Sequence, residues 1–113
     1  MSDIDDVLAD QLVPYRAAEG VKAALLISHD GFLVAANADE SITIEAVAAQ
    51  IGGVMDIARR VAGELEQPAA RYISMEMDTL NVLAAPFNDE LMLVLIGEPS
   101  AIKLSYSLRG APS

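Results

Sequence analysis

Apolar residues recur at spacings of three and four along one long stretch, SITIEAVAAQIGGVMDIARRVAGELE, from Ser41 to Glu66. Val47, Ile51, Val54, Ala58, Val61 and Leu65 make one stripe. Ile44, Ala48, Ile51, Met55, Ala58 and Ala62 make a second beside it. That period predicts an α-helix of ~39 Å at ~1.5 Å per residue. Ser41 or Thr43 can cap its start, and Glu45 puts a carboxylate near the positive end of the helix dipole. Pro68 follows the end, where a helix must stop. The two stripes together are wider than the face a helix needs against one sheet.

The flanking segments change period. Asp3 to Ala18 reads as a helix with an apolar stripe of Ile4, Val7, Leu8, Leu12 and Tyr15, which Pro14 should kink or split. Val21 to Ser28 is a buried strand, Asp30-Gly31 a tight turn, and Phe32 to Asn37 the returning strand. After Pro68, Ala70 to Met77 alternates. Tyr72, Ser74 and Glu76 point one way; Arg71, Ile73, Met75 and Met77 point the other. Leu80 to Pro86 and Leu91 to Ile96 are further strands, turned at Asp78-Thr79 and Asn88-Asp89-Glu90. The run LMLVLI is apolar on both faces and belongs in the middle of a sheet. Ala101 to Leu108 reads as a last helix.

The order is therefore α-β-β-α-β-β-β-α. Every strand link except the long helix is short enough for a hairpin. An α+β fold follows: an α/β/α layered domain on a five-stranded antiparallel sheet, one domain over residues 1–113.

Composition narrows the partners. Of 113 residues 53% are apolar and 21% charged, which is a globular balance, and the net charge of −10 repels nucleic acid and anionic membrane. The same charge suits a basic patch on another protein, or simply keeps an apolar chain dissolved. There is no cysteine, which removes disulfides, thiolate nucleophiles and thiolate-bound metals. The N-terminal MSDIDDVLAD is acidic where a signal peptide is basic, and no apolar run reaches the ~18 residues of a membrane span. We expect a cytoplasmic protein.

Catalytic chemistry finds no foothold. His29 is the sole histidine and sits beside a turn; with no second histidine it makes a poor metal site. Gly52-Gly53 lies inside a helical pattern, so neither phosphate-binding glycine motif applies. Ser28, His29 and Asp30 are sequence neighbours, whereas triad members converge from separate elements. Asp3, Asp5, Asp6 and Asp10 form a solvated helix face. We expect no catalytic residue, cofactor or metal.

The unusual feature is the glycine pair in mid-helix. Each glycine costs about 1 kcal/mol against alanine in an exposed helix interior, so packing must hold this helix. Small residues here permit close approach of another backbone: either the chain's own sheet or the same helix of a second copy. The width of the apolar face favours the second copy. The strand after the helix strengthens that reading, because an edge strand offers unpaired backbone groups that a twofold partner would satisfy. The expected homodimer contacts are Val47, Ile51, Gly52, Gly53, Val54, Met55 and Ala58 on the helix, and Arg71, Tyr72, Ile73, Ser74 and Met75 on the strand.

The hairpin VKAALLIS followed by DGFLVA, then the alanine-rich helix with glycines at its middle, the strand YISME and the late LMLVL, resembles the Roadblock (dynein light chain) family, and more narrowly its bacterial MglB-type members. The resemblance spans essentially the whole chain. It implies a dimer formed through the long helix and the following strand, joining two sheets into one. It also implies binding to a small Ras-like GTPase, as an activating regulator or a passive scaffold, with no obligatory arginine finger. The candidate GTPase contacts are then the outer charges of the long helix, Asp56, Arg59, Arg60 and Glu64. The alternative function is a structural light-chain-like scaffold with no effect on nucleotide turnover.

Overall fold

The computed structural model describes residues 3–102. The expected last helix, Ala101 to Leu108, falls almost wholly outside them. Within them the elements are α1 (Asp3–Gln11), α2 (Val13–Ala17), β1 (Val21–Ser28), β2 (Leu33–Ala38), α3 (Ile44–Glu64), β3 (Ile73–Glu76), β4 (Asn81–Pro86) and β5 (Leu91–Gly97). The expected order of helices and strands holds over the described residues.

The five strands form one antiparallel sheet in the order β2-β1-β5-β4-β3. β5 takes the central place its two-sided apolarity demands. Met92, Val94 and Ile96 turn to one face, while Leu91, Leu93 and Leu95 turn to the other. β1 is apolar on both sides for the same reason: Ala23, Leu25 and Ile27 meet α3, and Ala24 and Leu26 meet the α1–α2 layer. Each buried leucine or isoleucine contributes roughly 1.5–3 kcal/mol against an exposed one, so these two strands anchor both halves of the core.

β2 and β3 are the edges, and α3 carries the chain from one to the other. β2 is blunted by a bulge. Leu26 pairs with Ala35 and Ile27 with Leu33, leaving Val34 as the extra residue. β3 is short, a second common defence of an exposed edge.

The N-terminal segment is split at Leu12, as the proline suggested. Pro14 lies in the first turn of α2, where its missing N–H is harmless. Leu12 is fully buried on Ala24, Leu26 and Ala35 with Leu8 beside it. Val7 and Tyr15 belong to the expected stripe but are exposed. The break re-aims α2, and Val7 lies about 100° around the helix from Leu8. Arg16 ties α2 to β1 by donating to the Val21 carbonyl at 3.0 Å.

α3 is shorter at both ends than its pattern. It starts at Ile44 without a side-chain cap. The preceding turn is instead closed by Asp39, whose carboxylate accepts the Ser41 N–H at 3.0 Å. That bond, with a further side-chain bond from Ser41, holds the Asp39 carboxyl below its usual range. Among the described residues, no helix is long and apolar enough to cross a membrane.

Candidate interaction surface

Of the two stripes on α3, the tertiary structure gives the second to the home sheet. Ala48, Ile51, Gly52, Met55 and Ala62 are buried, recurring at the helical period on one face. This corrects three expected interface residues. Ile51 and Met55 are only 3% and 6% exposed and pack with Leu25, Ile27, Met92 and Val94. Gly52 is buried against the β1–β2 loop: a β-carbon there would stand 2.6 Å from Gly31 Cα and 2.8 Å from Gly31 N. All three are committed to contacts within the protomer.

The rest of the first stripe remains more open, with Ile57, from outside both stripes, beside it. Val54 and Ala58 are half-buried, while Ile57, Val61 and Leu65 are 59%, 52% and 65% exposed. Gly53 faces outward, with open space where its side chain would be.

The chain then folds back beside this stripe. The Gln67 N–H bonds the Ala62 carbonyl at 2.8 Å and the Glu66 N–H bonds Gly63 at 3.1 Å. This is a Schellman closure, and Glu66 occupies its left-handed position at φ 59°. The reversal lays residues 67–70 along the helix on the way to β3. Ala69, Ala70 and Ile73 thereby line a groove opposite Val54, Val61 and Leu65. Its volume is about 460 Å³, and Gln67 is the only polar residue lining it. β3 borders the groove and, among the described residues, has only β4 beside it, so its outer side is an open edge there. An apolar groove thus adjoins an open sheet edge.

Sequence reasoning placed Val54, Ala58 and Ile73 here and missed Ile57, Val61, Leu65, Ala69 and Ala70. Val61 and Leu65 were visible in the first stripe. Ile57 lies off both stripes, and Ala69 and Ala70 reach the groove only through the chain reversal. The other expected contacts scatter. Val47 and Met75 pack at the margin of the core under α3. Tyr72 joins Val21, Leu83 and Ile102 in a separate cluster. Arg71 and Ser74 are exposed.

Asp56, Arg59, Arg60 and Glu64 do share the outer part of α3. Asp56 accepts from Arg59 at 3.2 Å and from Arg60 at 2.7 Å. Exposed pairs of this kind contribute only about 0–1 kcal/mol, so they order the two guanidinium groups more than they stabilise the helix. Arg59 also borders a small cleft of about 140 Å³ with His29, Met55 and Met92. His29 there donates from Nε2 to the Asp89 carbonyl at 3.2 Å, joining the β1–β2 loop to the β4–β5 turn.

Comparison with known proteins agrees with this architecture. An MglB of tetrameric arrangement superposes with a TM-score of 0.81 at 16% identity, covering 99% of this chain and 85% of that one. The gliding protein MglB of Thermus thermophilus gives 0.80 at 16% identity, covering 99% and 86%. A Roadblock/LC7 domain from Streptomyces avermitilis gives 0.69 at 18% identity, covering 82% and 77%. At such identities the likeness is one of fold. No curated protein matches the sequence. The Roadblock/LC7 domain profile, however, matches residues 7–97, and the chain belongs to that family.

Proposed function

We propose that this chain is a homodimeric binding module that regulates a small Ras-like GTPase, of the activating or co-regulating type. It is not itself an enzyme. The observation that carries the dimer is the apolar groove beside the open edge of β3. Three large aliphatic side chains, Ile57, Val61 and Leu65, stand more than half exposed together. A contiguous patch of that kind marks an interaction surface. A second copy related by a twofold axis would cover the groove and pair the two β3 edges in one operation. The interface would then comprise Gly53, Val54, Ile57, Ala58, Val61, Leu65, Arg71, Ile73 and Ser74.

The GTPase reading rests on family membership and on the fold shared with MglB structures. Asp56, Arg59, Arg60 and Glu64 are the charges that would meet the GTPase from the outer side of α3. In keeping with the family resemblance, which implies no obligatory arginine finger, these residues would act as a surface; Asp56 holds both arginines on it.

The test is single-turnover GTP hydrolysis by a Ras-like GTPase from the same organism, with and without this protein. Binding with faster hydrolysis is expected. Binding with an unchanged rate would favour the scaffold role. Neither binding nor a rate change would overturn the reading.

A further inference from the structure

The tip of the β1–β2 hairpin holds an aromatic side chain out in solvent on a rigid base. Phe32 is 71% exposed, and among the described residues no large apolar side chain is more so. The loop beneath it is tightly bonded. Ser28 N–H donates to the Phe32 carbonyl at 2.9 Å, Gly31 N–H to the Ser28 carbonyl at 2.9 Å, and Phe32 N–H to Ser28 Oγ at 3.1 Å. Gly31, at φ +91°, rests against Gly52 and the Ala48–Ala49 backbone of α3. The backbone that presents Phe32 is therefore fixed before any partner arrives, which lowers the ordering cost of binding.

Beside the ring is a hollow of about 340 Å³ lined by Asp30, Gly31, Phe32, Leu33, Glu45 and Ala49. Its charged groups are both carboxylates, and among the described residues neither lies in a salt bridge. An apolar partner would bury those carboxylates without compensation, which is costly. A cationic side chain would not.

We propose that Phe32, Asp30 and Glu45 form a docking site for an arginine-bearing segment of a partner protein. The guanidinium lies over the face of Phe32, an attraction of about 0.5–2 kcal/mol. Its planar donors serve Asp30 and Glu45. The alkyl stem covers Leu33 and Ala49. The site is at the N-terminal half of α3, and its lining shares no residue with the groove at the C-terminal half.

The test is an amide NMR titration of the full chain with a capped tripeptide, arginine between two leucines, against its citrulline counterpart. The arginine peptide is expected to shift the amides of residues 30–33 and 45–49 selectively. Phe32→Leu, which keeps apolar bulk without the ring, and the pair Asp30→Asn with Glu45→Gln should each weaken the apparent affinity by about tenfold. Equal shifts with citrulline, shifts spread over the acidic surface, or no effect of these variants would overturn the proposal. Shifts at the same amides on raising protein concentration without peptide would assign the site to a second copy, and would equally overturn it.

Discussion

Gly52, in the middle of α3, stands so close to Gly31 at the hairpin tip that it has no room for a side chain. A β-carbon on Gly52 would lie 2.6 Å from Gly31 Cα, and one on Gly31 would lie 3.1 Å from the Ala48 carbonyl oxygen. The helix therefore accepts a poor helix former in order to bring two backbones together. Gly53, one residue on, faces open space and does nothing comparable.

The adjacent glycines should consequently respond in opposite ways. Gly52→Ala places a methyl against backbone and is expected to destabilise by about 1–3 kcal/mol. Gly53→Ala meets no atom within 4 Å, and the higher helix propensity should stabilise by up to about 1 kcal/mol. Urea denaturation of the two variants checks this. Similar losses for both would show that Gly53 is also packed.

Glu66 closes α3 from the left-handed region at φ 59°, a conformation costing a residue with a side chain roughly 1–2 kcal/mol. Glu66→Gly is expected to recover about 1 kcal/mol, with the cost of glycine in the unfolded chain set against it. A higher thermal midpoint is the expected readout. A lower one would mean that the Glu66 side chain makes a contact that outweighs the strain.

Val61→Asp puts a charge in the groove while leaving the home core intact, because Val61 is exposed in the single chain. Sedimentation equilibrium should show monomer with unchanged circular dichroism. Ile51→Asp is expected to fail differently: it buries a charge under the sheet and unfolds the protomer. A Val61→Asp protein that still dimerises would place the contact elsewhere.

Asn81 is a buried polar side chain with a double role. Its Oδ1 accepts the Met77 N–H at 3.2 Å, and its Nδ2 reaches the Ile102 carbonyl at 3.4 Å. It thus joins the β3–β4 turn to the chain after β5. Asn81→Ala takes the amide donor from the Ile102 carbonyl, while the Met77 N–H keeps the Leu80 carbonyl at 3.1 Å, and should cost about 1–3 kcal/mol in chemical denaturation. A neutral result would mean that water replaces the amide.

Much of this architecture is written in the local pattern. Short apolar runs without alternation mark β1 as buried and β5 as central, because only an interior strand has cover on both sides. Asp30-Gly31 and Asn88-Asp89-Glu90 mark their turns by chemistry that any tertiary setting would respect. A period of 3.6 marks α3, and Pro14 marks the break in the N-terminal helix. The pattern on a helix, however, specifies which residues share a face and not which face meets the sheet. Val54, Val61 and Leu65 are as apolar as Ile51 and Met55, so both stripes of α3 were equal candidates for the core. Tertiary packing distinguished them, and Gly52 on Gly31 is a contact on the chosen face that leaves no space for a side chain. The groove likewise awaited the reversal at Glu66, a left-handed residue with no glycine to announce it, which brings Ala69 and Ala70 beside a stripe they never adjoin in sequence.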